Sequence, residues 1–173
     1  MAKRAERAAE QLLVDHGITG PPVDPEALAR ADGIVVVRRR FKDGDVSGIL
    51  FRDSDHHVIG VNSAHPAVRQ RFTIAHELGH RALHPGRELI LDVPVRVNLR
   101  DKTSSMASDL EEIEANAFAA ALLMPEQMIR DQVNQLPPSQ RREPDVTATA
   151  LSKIFKVSVS ALNFRLINLG LTS

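Results

Sequence analysis

The sequence predicts an α+β fold: a small antiparallel sheet of about three strands packed with two helices, then a C-terminal helical hairpin that resembles a helix-turn-helix. Three observations predict it. Short runs rich in β-branched residues, divided by Asp-containing turns, fill residues 34–62. A helix-compatible stretch follows from Ala67 to Leu83, and a second runs from Ser108 to Met124. The tail from Val146 carries two helical patterns around one turn. With 173 residues, 43% of them hydrophobic, the chain can bury one sizeable core. The expected division is a main domain over residues 1–145 and a hairpin over 146–173, packed on it or appended to it.

Taken in order, residues 2–15 read as an amphipathic helix with Gly17 near its end, and Asp24-Pro25 opens a short second helix reaching Ala31. Gly33 begins the β region. The strands run from Ile34 to Arg40, Val46 to Arg52 and His57 to Asn62, separated by Asp43-Gly44-Asp45 and Asp53-Ser54-Asp55, which suggests a meander. Pro66 suits the first turn of the next helix, and His84-Pro85-Gly86 supplies its stop. The stretch from Leu89 to Ser108 is less regular, with Pro94 and a polar D-K-T-S-S segment, and is expected to connect two helices and border or cover the site between them. Ser108 and Asp109 are candidate caps of the helix that ends before Pro125. Pro137-Pro138 and the run from Arg141 to Pro144 mark turns. In the tail, a turn lies at Phe155-Lys156-Val157-Ser158, where Ser158 caps the last helix and Gly170 ends it.

Composition narrows the function. There is no cysteine, so neither a disulfide framework nor a thiolate metal site is available. Twenty-two basic and 22 acidic residues cancel, which gives no global attraction to nucleic acid or to an anionic membrane. The charged, Ala-rich first ten residues lack the apolar core of a signal peptide, and no run approaches transmembrane length, so a cytoplasmic location is expected. Arg38-Arg39-Arg40 reads as a solvated strand end, and His56, His57 and His65 as surface residues.

The chemistry is concentrated in His76-Glu77-Leu78-Gly79-His80, an H-E-x-x-H sequence. A helix stacks residues i and i+4 on one face, so His76 and His80 can offer two imidazole nitrogens to one ion. A catalytic zinc site usually takes three protein ligands and leaves a fourth position to water, whose pKa falls to about 7 on the metal. Glu77 lies beside the ion without binding it, as a general base for that water. Gly79 within a helix costs about 1 kcal/mol relative to Ala, which asks for a close backbone approach. The third ligand should come from the second helix. At about 100° per residue, Leu110, Ile113, Ala117, Phe118, Ala121 and Met124 form an apolar arc with Glu114 inside it, Glu111 at its edge and Glu112 opposite. A buried carboxylate needs a cation, so Glu114 is the expected ligand, with Glu111 its competitor if the helix is rotated.

The run Arg71-Phe72-Thr73-Ile74-Ala75-His76-Glu77-Leu78-Gly79-His80 and the run from Glu112 to Pro125 together closely resemble the ImmA/IrrE family of bacterial metallopeptidases. The resemblance implies a gluzincin-like zinc site in a small α+β domain, with His76, His80 and Glu114 as ligands and Glu77 as base. It also implies a helix-turn-helix repressor as protein substrate, whose cleavage relieves repression of mobile elements or stress genes. Zinc is the expected ion, with manganese or another divalent ion able to replace it in the cell. His84, one turn after His80, is a candidate to polarise the substrate carbonyl; Arg69 and Arg71 have no assigned place. Two other functions remain open: a module that docks a transcription factor without cutting it, and a DNA reader using the last helices. The second is disfavoured, because Arg165 is the cation of its recognition helix.

Overall fold

Residues 2–53, 56–85, 89–92, 102–141 and 143–171 are described by a computed structural model, with backbone alone for residues 2, 89–92 and 102–108. The elements follow as α1 (Ala2–Asp15), α2 (Pro25–Ala31), β1 (Val35–Arg39), β2 (Gly48–Arg52), β3 (His57–Asn62), α3 (Ala67–Leu83), β4 (Leu89–Asp92), α4 (Lys102–Leu123), α5 (Glu126–Gln135), α6 (Pro138–Arg141), α7 (Pro144–Phe155) and α8 (Val159–Asn168). The α+β class is as expected. The connection over residues 93–101, expected to border or cover the site, lies outside the described residues, as do Ser54, Asp55, Gly86 and Arg142.

Local chemistry sets several boundaries. Asp24 caps α2 by accepting from the Glu26 and Ala27 backbone N–H groups, and Pro25 loses no hydrogen bond in the first turn. Ser158 accepts from the Ala161 N–H at 3.1 Å and starts α8. Lys156 closes α7 in the left-handed region, at φ 53°.

The sheet departs from the expected meander in two ways. Its order is β1-β3-β2-β4, with β1 parallel to β3 and the β2–β3 and β2–β4 pairs antiparallel. Along the chain β1, β2 and β3 alternate in direction as in a meander, but β3 is inserted between β1 and β2 and so lies parallel to β1. Burial explains the insertion. Leu50, Ile59 and Val61 are fully buried and fill the middle of the sheet, whereas β1 carries Arg38 and Arg39 and leaves Val35 57% exposed. A charged strand is tolerated at an edge, where its side chains stay in water. The second departure is β4, which pairs with β2 inside the stretch expected to be irregular.

Helix α3 lies under β2 and β3 and crosses α4, which in turn packs on α1. Gly79 makes the α3–α4 crossing possible: a Cβ there would come within 3.1 Å of Ala115 Cα, Ala115 O and Phe118 Cβ. This is the close approach for which the helix-interior glycine called. Ile74, Ala75, Leu78, Phe118, Ala119 and Leu122 belong to the buried hydrophobic core around it. Among the described residues, no helix is long and apolar enough to cross a membrane.

Candidate metal centre

Helix α3 turns His76, Glu77 and His80 inward, all essentially inaccessible to solvent. The two imidazoles meet with Nε2 atoms 2.9 Å apart. Glu112 of α4 reaches between them, with Oε2 3.2 Å from His76 Nε2 and Oε1 3.1 Å from His80 Nε2. Their ligand atoms lie within 4.8 Å of one another, a two-nitrogen, one-carboxylate set whose lone pairs converge. That donor chemistry fits a divalent metal ion.

The carboxylate that the fold brings to the histidines is not the one expected. Glu114 is buried as anticipated, but its Oε2 is engaged by His84 Nε2 at 3.1 Å and by Arg4 Nη1 at 3.3 Å. Glu112, placed on the opposite side by the sequence reading, is the carboxylate brought to the histidine pair. The helix phase is the reason. Leu110 and Ile113 helped define the apolar arc, yet they are 40% and 57% exposed, while the buried stripe runs through Ala115, Phe118, Ala119 and Leu122. Extended back by three or four residues, that stripe meets Glu112 and Glu111; Glu111 is not in the convergent group.

Electrostatics prepares the donors. Burial pushes the His80 imidazole below its ordinary value, and the neighbouring His76 acts in the same direction, so the neutral ring is favoured. Burial opposes ionisation of Glu112, but hydrogen bonding with His76 and His80 outweighs it and holds the carboxyl at about 2. A neutral imidazole and an ionised carboxylate are the forms a metal requires.

Two supporting residues were missed in the sequence. Asn116, one turn after Glu112, places Oδ1 3.0 Å from His76 Nδ1, where it accepts the ring N–H and leaves the Nε2 lone pair turned to the cluster. Gly48 in β2 admits Glu77: a Cβ would lie 2.7 Å from Glu77 Oε1 and 2.4 Å from Thr73 Cγ2. A glycine inside a strand is a readable signal of such an approach, although it does not name the neighbour.

The remaining candidates are placed elsewhere. His84 has both ring nitrogens engaged, Nδ1 with His80 Nδ1 at 3.2 Å and Nε2 with Glu114, which leaves none to polarise a substrate. Arg69 donates to Ser47 Oγ, and Arg71 to the carbonyls of Val23 and Lys156. Arg165 is buried and donates to Met124 O and Glu6 Oε1.

Residues 29–167 match the Peptidase_M78 family model, described as an IrrE N-terminal-like domain. The chain belongs to that family. Relatives of this IrrE N-terminal-like chain include the radiation response metalloprotease IrrE of Deinococcus deserti, 32% identical over 154 residues, which cover 84% of the chain and 51% of the relative. The protein of the same name from Deinococcus radiodurans is 33% identical over 114 residues, covering 66% and 32%. Uncharacterized immunity region protein 2 of Bacillus phage phi105 is 30% identical over 131 residues, covering 74% and 73%. The chain thus spans about half and about a third of the two Deinococcus proteins. Among solved structures, a Mycobacterium tuberculosis transcriptional regulator superposes with a TM-score of 0.56 at 20% identity, covering 95% of this chain and 46% of its own. That likeness speaks for the fold alone.

Proposed function

We propose that this chain is a zinc-dependent endopeptidase acting in the cytoplasm on a helix-turn-helix repressor, with His76, His80 and Glu112 as ligands and Glu77 as general base. The observation that carries the reading is the convergence of His76 Nε2, His80 Nε2 and the Glu112 carboxylate beside a fully buried Glu77. Membership of a peptidase family supports it. Manganese or another divalent ion suits the same N/O donors.

Zinc at this point would supply Lewis-acid polarisation of a water and of the scissile carbonyl. The chain's own residues do the rest. Asn116 keeps the His76 proton on Nδ1 and so turns the Nε2 lone pair inward. Glu77, pressed against the β2 backbone at Gly48, accepts the proton of the attacking water on a carboxylate oxygen. It then delivers that proton to the departing amine nitrogen. Gly79 sets the α3–α4 separation and thereby the distance from Glu112 to the histidines.

A repressor as substrate is supported by the family resemblance and by the relative named for a phage immunity region. Helix α8 makes a poor DNA reader, since Arg165, the cation in its sequence, is buried and paired. We read residues 146–173 as packing on the 1–145 domain.

The test is co-expression of wild type and Glu77→Gln with the repressor encoded beside the gene, following repressor mass and bound metal together. Cleavage by wild type alone, reduced about 10²–10⁴-fold in the variant with metal retained, is the expected result. An intact repressor in both, with metal bound, would sink the proteolytic reading for that partner and favour a docking module.

A further inference from the structure

We propose that His84 and Glu114 form a positioning relay behind the metal centre, fixing the tautomer in which His80 carries its proton on Nδ1 and turns the Nε2 lone pair to the ion. The inference rests on the ligand set just proposed and deepens it.

A neutral imidazole has one N–H, and the nitrogen that carries it decides whether His80 can be a ligand through Nε2. His80 Nδ1 lies 3.2 Å from His84 Nδ1. Two ring nitrogens at that distance need one donor and one acceptor. His84 Nε2 lies 3.1 Å from Glu114 Oε2, and a lone pair facing a carboxylate oxygen would be repelled. His84 therefore carries its proton on Nε2 and donates it to Glu114. Its Nδ1 is left as an acceptor, which draws the His80 proton to Nδ1. The remaining His80 lone pair, on Nε2, faces His76 Nε2 and the Glu112 carboxylate, an all-acceptor arrangement that is relieved by the proposed cation, whereas His84 and Glu114 have no such partner and must share a proton.

The relay is held at both ends. The His84 backbone N–H donates to His80 O at 2.9 Å, and its carbonyl accepts from Arg52. Arg4 of α1 donates to the Leu83 carbonyl at 2.9 Å and to Glu114 at 3.3 Å, tying the end of α3 to α4. A buried carboxylate two residues from a ligand, turned away from the site, thus acquires a function. His76 needs only Asn116 for the same purpose; His80 is served in two steps.

The test measures Zn²⁺ affinity of the full chain by competition with a chromophoric chelator, together with histidine tautomers by ¹⁵N NMR of the zinc-loaded wild type. We expect His84 to be protonated on Nε2, with a through-hydrogen-bond N–N coupling between His84 Nδ1 and His80 Nδ1. Affinity should fall about 10–100-fold in His84→Phe and Glu114→Leu, the range typical for partners behind a ligand. Glu114→Gln keeps an acceptor oxygen and should recover most of the loss. Glu112→Gln should weaken binding more than any of them.

A His84 ring protonated on Nδ1 in wild type overturns the relay, and that readout depends on no variant folding. So does a Glu114→Leu affinity within twofold of wild type. If Glu114→Gln loses as much as Glu112→Gln, Glu114 is itself a ligand and the relay is wrong while the metal site stands. A wild-type chain that takes up no zinc overturns the site reading, and the relay with it.

Discussion

The α3–α4 crossing buries two imidazoles against a carboxylate, whereas the contact of α8 with the rest of the chain buries a guanidinium, and the two clusters use their polar atoms differently. Around Arg165, the cation meets its acceptors within the chain: Nε donates to Met124 O at 3.1 Å and Nη1 to Glu6 Oε1 at 2.8 Å. The charge is neutralised where it lies. At the crossing, His80 is favoured neutral and Glu112 ionised, with the two histidine nitrogens and the carboxylate converging within 4.8 Å. Such a cluster is completed by a cation from outside. Burial alone therefore does not mark a functional polar group; the marker is an excess of converging acceptors.

The largest effect that sharpens this contrast is expected at Gly48. In Gly48→Ala the new methyl would collide with Glu77 and Thr73, displacing the base while His76, His80 and Glu112 keep their places. Displacement by about 1 Å can cost on the order of 10² in rate. Turnover of the proposed repressor substrate should fall by about that factor, with zinc affinity within twofold of wild type. Full activity in this variant would show that Glu77 does not need its position against β2.

Next in size is the closed cluster. Removing one partner of a buried ion pair costs about 3–5 kcal/mol, but the Glu6 side chain is 32% exposed and water can relieve it. Arg165→Met should therefore lose about 2 kcal/mol in urea unfolding, with Arg165→Met/Glu6→Gln recovering part of the loss and zinc affinity unchanged. A fall in zinc affinity would mean that the two clusters are coupled, and the comparison would break.

Legibility followed the same division. The H-E-x-x-H spacing is local, so helix geometry alone placed His76, Glu77 and His80, and the glycine at 79 announced the crossing. Glu112 is hidden because the apolar arc of six residues that sets the helix phase includes Leu110 and Ile113, two large apolar residues that the fold leaves exposed. Tertiary packing decided the rotation, and the small residues Ala115 and Ala119 that mark the buried stripe carry little hydrophobic signal. Sheet order was hidden for a related reason. β1, β2 and β3 are each readable by themselves, unlike β4, but β1 and β2 would satisfy turn chemistry as direct neighbours, and the burial of Ile59 and Val61 puts β3 between them. Gly48 was visible as a glycine and unreadable as a contact, since its neighbour lies 29 residues away in the chain.

The smallest expected effect comes from a pair belonging to neither cluster. Glu26 of α2 accepts from Arg38 of β1, at 3.0 Å for the Nη1–Oε1 contact, and the Arg38 side chain remains 40% exposed. The hydrogen bond from Arg38 holds the Glu26 carboxyl below its ordinary value of 4.5 against the opposing influence of burial. A carboxyl depressed in the folded state stabilises above its unfolded pKa, and that stability is lost as pH falls through the lower folded value. Solvent screening limits it to about 0.5 kcal/mol. Glu26→Gln should thus be less stable than wild type by about that amount near pH 7, with the gap closing as the pH drops below 4.5. Urea unfolding at several pH values measures the gap. A difference that stays constant into acid would assign the contact to side-chain packing, because only an ionic contribution vanishes when the carboxyl is protonated.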